Sequence, residues 1–362
     1  MRVLQIINSF AMNRGGAERL ARALHGRLRA DGSCATLISL EACPTDDLEC
    51  AMSLGFKSAY DPRLLWSLAR TIRRLEQPVD IVHAHLFPAS AHVAMLSALG
   101  LVNAPCVFTE HNTSNGRRSR QFGRLIDRAV YLRFDLIAAI SEGVREALGK
   151  EYPWLLDRCH VVPNGVALRY HAATMRPSRR NVTVVSAGRM VAQKNYTAAL
   201  KAIAQLDDLP VRYVILGEGP ERGAIEKLAG RLGISDRVDM PGHVSDIHPY
   251  LAAADIFLMP SLWEGFGLAA VEAMNASLPM VVSDVPGLRE VAGADGECAC
   301  LVAPDDLLGL SNAIRHLACS PSERWRMGAA GFERSRQFGI ERMIQAYSSC
   351  YEGLLARERT YA

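Results

Sequence analysis

The chain has little net charge, no paired cysteine motif and no long apolar run. Its 41 basic and 38 acidic side chains leave a formal charge of +3, which is too small to argue for nucleic acid as the partner. The nine cysteines are scattered and form no CxxC pair, so we expect reduced thiols rather than a disulfide framework or a zinc site. No apolar run approaches the ~18–20 residues that span a bilayer, so any membrane contact is expected to be peripheral.

Three signatures of other protein classes are missing as well. Neither glycine loop that opens a first helix spells GxGxxG, which disfavours a dinucleotide oxidoreductase. No Asp-x-Asp metal motif is present. The segment Met1–Asn8 is too short for the apolar region of a signal peptide and is expected to form a first core strand. These observations favour a cytoplasmic protein.

Apolar strands alternate with amphipathic segments along the chain, which is typical of parallel sheets covered on both faces. At 362 residues, two such domains are the first expectation. The predicted strands are Val3–Ile7, Ala35–Leu40, Ile81–His85, Cys106–Glu110, Leu136–Ile140, His160–Pro163, and then Val182–Ala187, Val211–Leu216, Val238–Met240, Ile256–Met259 and Met280–Ser283. We therefore predict two doubly wound α/β domains that face each other across a cleft.

The boundary between these domains is expected in Ala167–Arg180, where basic residues and proline break the periodicity. This gives an N-terminal Rossmann-like domain over 1–168 and a C-terminal Rossmann-like domain over 169–340. The remaining residues, 341–362, carry apolar side chains at helical spacing.

The most informative segment runs from Asp255 to Met274. A short buried strand ends at Pro260, a glycine-rich turn follows, and a helix is predicted to begin at Leu268. Glu264 therefore lies in a loop at the carboxyl end of a strand, where open α/β sheets bind ligands. Glu272, eight positions later, lies a little over one turn inside the helix. The alternative interpretation is that both acids are solvated and favoured by the helix dipole.

Further motifs stand in a fixed order around this segment. They are Gly15-Gly16-Ala17-Glu18, Thr109-Glu110-His111-Asn112, Pro163-Asn164-Gly165-Val166, Gly188-Arg189-Met190 with Lys194-Asn195, Gly217-Glu218-Gly219-Pro220, and Gly287-Leu288-Arg289-Glu290. Together with the two acids, which have seven residues between them, this set resembles the retaining glycosyltransferases of family four (group 1), which have the GT-B fold. The resemblance spans nearly the whole chain. One departure is Ala167, where the family often has an acid.

The resemblance implies a nucleotide-diphosphate sugar as donor and a reaction that needs neither a metal nor another cofactor. Its expected catalytic residues are His111, Arg189, Lys194 and Glu264. The two cations would hold the diphosphate, because negative charge develops on the leaving group and arginine and lysine stabilise it. Glu264 and His111 would contact the donor sugar. The alternatives are two solvated loop cations and a structural histidine.

The resemblance also assigns donor-binding residues. Glu272 would accept hydrogen bonds from the ribose. The resemblance further implies that the N-terminal domain binds the acceptor, that the C-terminal domain binds the nucleotide sugar, and that the final helix of the chain packs back on the N-terminal domain. Glycines let the backbone approach the ligand, and helix starts offer free N–H groups. The remaining expected donor contacts are Gly15, Gly16, Gly188, Gly217, Gly219, His243, Val244, Gly265, Phe266, Gly267 and Leu268. A helix-start glycine is alternatively only a turn.

The acceptor side is predicted from its basic residues. Six arginines fall within the 17 residues Arg117–Arg133, and a basic amphipathic surface can lie on anionic lipid. The expected acceptor-side or membrane-side residues are His85, Arg117, Arg118, Arg120 and Arg124. The segment Arg63–Arg74 is also basic and amphipathic, and its ordinary interpretation is a core helix with a solvated face. His83 is interpreted as structural.

The predicted function is transfer of one hexose, with retained anomeric configuration, from a uridine or guanosine diphosphate sugar to a glycan or lipid-linked saccharide. Cell-surface polysaccharide or glycolipid synthesis is the expected context, with peripheral contact at the inner membrane face as a further hypothesis. Two alternatives are a nucleotide-sugar 2-epimerase of the same fold and a nucleotide-sugar-binding protein without catalysis. Loss of Arg189, Lys194 or Glu264 would mark the latter, and all three are present.

Overall fold

The chain forms two compact units in the computed structural model, which describes residues 1–11, 15–45, 48–75, 77–113, 117, 120–170 and 181–361. The first unit comprises Met1–Asn164 and Ile340–Ala362, and the second comprises Gly165–Gly339. Arg118 and residues 171–180 of the expected boundary segment lie outside the described residues. The first unit is discontinuous, because its last segment follows the whole of the second unit in sequence.

Each unit contains one parallel sheet. Among the described residues, the strands of the first unit are β1 (Arg2–Ile7), β2 (Cys34–Glu41), β3 (Ala51–Phe56), β4 (Ile81–His85), β5 (Cys106–Glu110), β6 (Leu136–Ala139) and β7 (Cys159–Val161). Those of the second are β8 (Val182–Ala187), β9 (Val211–Leu216), β10 (Val238–Gly242), β11 (Ile256–Met259), β12 (Met280–Ser283) and β13 (Ala299–Val302). The strand orders are β3-β2-β1-β4-β5-β6-β7 and β10-β9-β8-β11-β12-β13. Both orders reverse beside the first strand of the unit, as doubly wound sheets do.

The helices connect successive strands. In chain order they are α1 (Gly16–Ala30), α2 (Leu64–Arg73), α3 (Ala89–Ala98), α4 (Gln121–Tyr131), α5 (Glu142–Glu151), α6 (Tyr196–Ala204), α7 (Arg222–Arg231), α8 (His248–Ala253), α9 (Leu268–Asn275), α10 (Pro286–Ala292), α11 (Leu307–Cys319), α12 (Pro321–Ser335) and α13 (Ile340–Tyr361). Leu20, Leu24 and Leu28 recur at four-residue spacing along α1 and are buried.

The prediction of two doubly wound parallel sheets is confirmed. All residues of β4, β5, β11 and β12 are buried, as expected for strands covered on both faces. The predicted strands did not include β3 and β13, which lie at an edge of their sheets, although the edge strands β7 and β10 were predicted. Ser53 and Gly55 interrupt the apolar run of β3, whereas β13, Ala299–Val302, is a short apolar run that the prediction did not include.

Helix α13 packs on the first unit, as predicted. Its apolar residues at helical spacing are buried, namely Met343, Ile344, Tyr347, Tyr351 and Leu354. The hydroxyl of Tyr351 lies 2.7 Å from Nδ1 of His83, and that of Tyr347 lies 2.9 Å from Oγ1 of Thr109. Because all four groups are buried, these hydrogen bonds fix the rotation of α13 against strands β4 and β5.

We expect Tyr351→Phe to lower the free energy of unfolding by about 1–3 kcal/mol, because it leaves the buried Nδ1 of His83 without a partner. Tyr60→Phe is the matched control, since Tyr60 is 68% exposed and its change should cost nothing measurable. Urea denaturation measures both. Equal stability of the two variants would show that the bond to α13 does not contribute.

Candidate active site

The loops after β8, β9 and β10 are joined by backbone hydrogen bonds. The N–H of Met190 donates to the carbonyl of Glu218 over 2.9 Å, and the N–H of Gly217 donates to the carbonyl of Gly242 over 2.8 Å. The N–H of Gly188 donates to Leu216 over 2.9 Å. Three neighbouring strand ends are thereby held in one row, which brings the predicted donor glycines Gly188 and Gly217 together.

Close approach of these loops requires glycine at position 217. Its φ is +142°, and a Cβ there would lie 2.1 Å from the carbonyl oxygen of Gly188, a distance that no side chain tolerates. A Cβ on Gly219 would lie 2.2 Å from the carbonyl oxygen of Met190. The Gly-Glu-Gly motif is therefore explained at least in part by loop packing.

The loop after β11 is tied to the turn that contains Lys194. The N–H of Leu262 donates to the carbonyl of Gln193 over 2.8 Å, and the side-chain amide of Gln193 donates to the carbonyl of Trp263 over 2.8 Å. Residues Ala192–Lys194 form a single 3-10 turn. Gln193 thus connects the basic loop with the segment that begins the acidic motif.

Lys194 and Glu264 form an ion pair in which the ammonium Nζ lies 2.5 Å from Oε1. The side chains are 17% and 9% exposed, so the pair is largely removed from water. Arg189, in the same loop as Lys194, is exposed. The hydroxyl of Tyr196 donates to the carbonyl of Gly188 over 3.0 Å and supports this loop from beneath. The structure thus brings one predicted cation into contact with the predicted sugar carboxylate.

The predicted ribose carboxylate lies in α9. Glu272 is 9% exposed and belongs to the buried side of this helix. Helix α9 begins at Leu268 directly after Gly267, whose φ is +104°. The preceding Gly265 and Phe266 are buried, and the ring of Phe266 contacts that of Phe338 with centroids 5.4 Å apart. The side chain of Phe266 is therefore a packing group, which leaves its backbone for ligand contact.

The predicted donor contacts His243 and Val244 follow β10. His243 is exposed and Val244 is half-buried. Their loop ends at Asp246, whose carboxylate accepts from the N–H of His248 over 3.1 Å. This bond and the neighbouring guanidinium of Arg169 lower the pKa of Asp246. The loop adjoins Gly242, which belongs to the row of joined strand ends.

The first unit places its predicted residues at the carboxyl ends of three neighbouring strands. Gly15 precedes α1 and Gly16 begins it, after β1, while residues 12–14 between them and the strand lie outside the described residues. His85 ends β4, and His111 follows β5. Among the described residues, Nδ1 of His85 and Nε2 of His111 are buried and have no hydrogen-bond partner. Within the described residues, the hydrogen-bonding capacity of both nitrogens is therefore unused.

His83, His85 and His111 form a row of neutral imidazoles. The ring centroids of His83 and His85 are 3.9 Å apart, and those of His85 and His111 are 6.2 Å apart. Burial lowers the pKa of His83 to about 3 and that of His111 to about 4. Burial, followed by the neighbouring histidines, lowers the pKa of His85 well below its usual value. His83 bonds to Tyr351 and Thr109, which fits its predicted structural role.

The predicted acceptor-side arginines do not share one environment. Arg117 is turned inward, where its guanidinium lies 3.0 Å from the carboxylate of Asp127 and 3.5 Å from the ring centroid of Phe87. Arg120 and Arg124 are exposed, and Arg124 pairs with Glu151 at 3.3 Å. Arg118 lies outside the described residues. Of the three acceptor-side arginines that the structure describes, Arg120 and Arg124 therefore present their charge to solvent, whereas Arg117 does so only in part.

Sequence reasoning missed Gln193 and Ser261. Gln193 stands between the two predicted cations, yet its link to Trp263 spans 70 positions and leaves no local signal. Ser261 is fully buried, and its hydroxyl has no partner among the described residues. Its place directly after the strand end could have drawn notice, because ligand-binding side chains gather there.

Two family profiles match the chain. Residues 14–170 match Glycosyltransferase Family 4, and residues 173–334 match Glycosyl transferases group 1. Two doubly wound sheets with polar loops at their strand ends define the GT-B class. The chain belongs to the family of group 1 glycosyl transferases.

Individual relatives support this assignment. The D-inositol 3-phosphate glycosyltransferase of Streptomyces scabiei is 30% identical over 314 residues, which cover 78% of this chain and 70% of that protein. The MMP α-(1→4)-mannosyltransferase of Mycolicibacterium hassiacum is 36% identical over 206 residues, which cover 56% of this chain and 50% of that protein. The chain thus matches about half the length of that relative.

A solved structure shows the same fold. HepE of Anabaena, determined in complex with UDP-glucose, superposes with a TM-score of 0.84 at 19% identity, covering 98% of this chain and 100% of that one. At this identity the likeness concerns the fold alone. Within the described ranges, no cluster of three histidine, cysteine or acidic side chains could hold a metal ion, and the expectation of metal-independent transfer stays a prediction.

We expect acid to destabilise the first unit through its buried histidines. Their pKa values are lowered in the folded state, so each contributes full stability above pH ~6.5 and loses it as pH falls toward ~4. Each should add about 1.4 kcal/mol per pH unit to the slope of the free energy of unfolding against pH. His83→Gln should remove one such contribution, whereas His243→Gln, at an exposed position, should not.

Urea titrations between these pH values measure the slopes. Histidine ring signals in NMR spectra provide a second measurement that requires no variant: those of His83 and His111 should fail to titrate above pH ~5. Ordinary titration of all ten histidines would contradict the buried neutral row.

Proposed function

We propose that the protein transfers a hexose from a nucleotide-diphosphate sugar to an acceptor hydroxyl with retention of configuration. The observation that carries this proposal is the ion pair of Lys194 and Glu264 within the row of joined strand ends. Family membership and the names of the relatives support it. The donors that we propose are uridine or guanosine diphosphate sugars, since the resemblance implies that backbone groups hold the base, and such contacts would admit both.

The leaving diphosphate requires positive charge. When the glycosidic bond breaks, its electron pair stays on the diphosphate oxygen, and nearby cations lower the barrier by stabilising that charge. Arg189 is exposed at the strand end and offers bidentate phosphate contact. Lys194 lies one turn further along and supplies a compact charge. Both belong to the loop that the neighbouring backbone holds in place.

Donor binding exchanges the partners of the ion pair. In the structure, Lys194 and Glu264 satisfy one another at 2.5 Å. The donor brings a phosphate for the ammonium and sugar hydroxyls for the carboxylate. Because Gln193 fixes both loops, the two side chains keep their positions during this exchange. The pair thus preorganises the site and prevents an uncompensated buried charge when no donor is bound.

The remaining roles follow the resemblance. Glu272 would accept hydrogen bonds from the two ribose hydroxyls. The buried Nε2 of His111, without a partner among the described residues, would bond to a hydroxyl of the transferred sugar. Its lowered pKa of about 4 keeps it neutral at pH 7, so it does not repel the developing positive charge of the sugar.

No enzymic base is needed in this mechanism. The acceptor hydroxyl attacks the anomeric carbon on the face that the diphosphate leaves. Its proton passes to a departing phosphate oxygen, so that charge and atoms balance without a metal or cofactor. We propose a glycan or lipid-linked saccharide as acceptor, in cell-surface polysaccharide or glycolipid synthesis. For a lipid-linked acceptor, the enzyme would contact the membrane peripherally through its exposed arginines.

Incubation of the protein with single nucleotide sugars tests the proposal. A thermal-shift panel of uridine and guanosine nucleotides and their sugars first identifies the donor, since a ligand that binds the native state raises its melting temperature. Product analysis with and without saccharide acceptors follows. Isomerised donor in the absence of acceptor would identify an epimerase, and a bound but unchanged donor with every acceptor would identify a binding protein.

We expect Arg189→Ala and Lys194→Ala each to lower turnover about a hundredfold, as loss of a group that stabilises transition-state charge does. Lys227→Ala, at an exposed position on α7, is the matched control and should retain normal turnover. Glu264→Gln should cost at least tenfold, and its effect should not add to that of Lys194→Ala, because the two side chains are in contact. Near-normal turnover of both cation variants would refute the phosphate assignment.

Glu272→Gln should weaken binding of the nucleotide more than His111→Ala does. The carboxylate would lose charge-assisted hydrogen bonds worth about 1.5–3 kcal/mol each, whereas His111 is assigned to the sugar, which a free nucleoside diphosphate lacks. Isothermal titration calorimetry with that nucleotide measures both, and the reverse order of affinities would overturn the two roles.

A further inference from the structure

Helix α4 carries its large apolar side chains outward. Phe122 and Leu125 are 75% and 64% exposed, and Leu132, directly after the helix, is 52% exposed. The buried residues of the helix are Gly123, Asp127, Val130 and Tyr131. An amphipathic helix of a globular domain normally buries its large apolar residues. Here an aspartate faces inward while phenylalanine and leucine face solvent.

Inward polar contacts fix this orientation. The carboxylate of Asp127 pairs with the guanidinium of Arg117 at 3.0 Å, and that guanidinium lies over the ring of Phe87. The hydroxyl of Tyr131 donates to Oε2 of Glu110 over 2.7 Å. Rotation of α4 to bury Phe122 would expose or break these buried bonds, at a cost that the gained apolar burial does not offset. The outward apolar residues therefore belong to the folded state.

Two neighbouring helices also expose large apolar side chains. Helix α3 packs against α4, and α2 packs against α3. Met95 and Leu99, at and just beyond the end of α3, are 51% and 57% exposed, and Trp66 on α2 is 71% exposed. The apolar docking face is defined by these residues and those of α4: Trp66, Met95, Leu99, Phe122, Leu125 and Leu132. Monomeric proteins rarely expose so many large apolar side chains on adjacent helices.

The exposed charges on these helices are all positive. Arg70 and Arg73 on α2 and Arg124 and Arg128 on α4 are exposed, and of these Arg124 also pairs with Glu151 of α5 at 3.3 Å. The three helices are described in full, and their one carboxylate, Asp127, is 2% exposed. A second copy of the chain is a poor partner, because a twofold contact would set these arginines against themselves. Aromatic and aliphatic side chains bordered by arginines fit the interface of an anionic bilayer.

We infer that the apolar docking face binds peripherally to anionic lipid, with Trp66, Phe122 and Leu125 at the boundary of headgroups and acyl chains and the arginines at the lipid phosphates. No helix within the described ranges has the length and hydrophobicity that crossing a bilayer requires. This inference rests on the proposed function in one respect: transfer to a lipid-linked acceptor is the reason for the enzyme to bind a membrane. The binding itself is measured without donor or acceptor, so failure of the transfer reaction leaves the measurement intact.

Vesicle flotation tests the inference. The full chain is mixed with vesicles of phosphatidylcholine alone or of phosphatidylcholine with phosphatidylglycerol. One variant combines Phe122→Gln with Leu125→Gln, and a second combines Arg124→Gln with Arg128→Gln. The matched control combines Leu308→Gln with Trp325→Gln, which removes exposed apolar side chains of the second unit. Circular dichroism establishes that each variant is folded.

The wild type and the control should float with the anionic vesicles and not with the neutral ones. The apolar variant should bind at least tenfold more weakly, and each neutralised arginine should weaken binding about fivefold. Failure of the wild type to bind anionic vesicles, or undiminished binding by the apolar variant, would overturn the inference. So would a dimer in sedimentation velocity that the apolar variant abolishes, because the face would then join two copies.

Discussion

The backbone hydrogen bonds between loops at the strand ends of the second sheet support everything that the site does. Parallel strands bring their carboxyl ends to one edge, but the loops that follow are free to diverge. Met190 to Glu218, Gly217 to Gly242 and Leu262 to Gln193 close these gaps. The ion pair of Lys194 and Glu264 depends on this support, since a largely buried pair repays its desolvation only when the geometry is held. Positioning comes from the backbone, and the side chains supply charge.

Much of this arrangement could be predicted from the sequence, because the interior strands and their loops leave local signals. A buried parallel strand is a short run of branched apolar residues, and the glycine and acidic motifs follow such runs at fixed offsets. Strand β3 was not predicted because Ser53 and Gly55 interrupt its apolar run, whereas β13, the short apolar run Ala299–Val302, carried a signal that the prediction did not use. The burial of α13 was also predictable, because its aromatic and aliphatic residues recur at helical spacing.

The parts that sequence did not predict depend on partners far away in the chain. Nothing beside Gln193 indicates that its amide meets the carbonyl of Trp263. The inward turn of Arg117 depends on Asp127 and Phe87 together, and a periodicity argument shows that α4 is amphipathic without showing which side faces the sheet. The second unit gathers its predicted cations, carboxylates and glycines along one edge of its sheet.

The discontinuity of the first unit has a consequence for synthesis on the ribosome. The strands of its sheet are made early, yet Tyr347 and Tyr351, which bond to Thr109 and His83, are translated only after the whole of the second unit. Until they emerge, the sheet face that they cover stays open and its buried polar groups rely on water. The contiguous second unit has no such delay. Chaperone demand therefore falls on the N-terminal half of the nascent chain, and a premature stop within the last helix would leave that half incomplete while sparing the other.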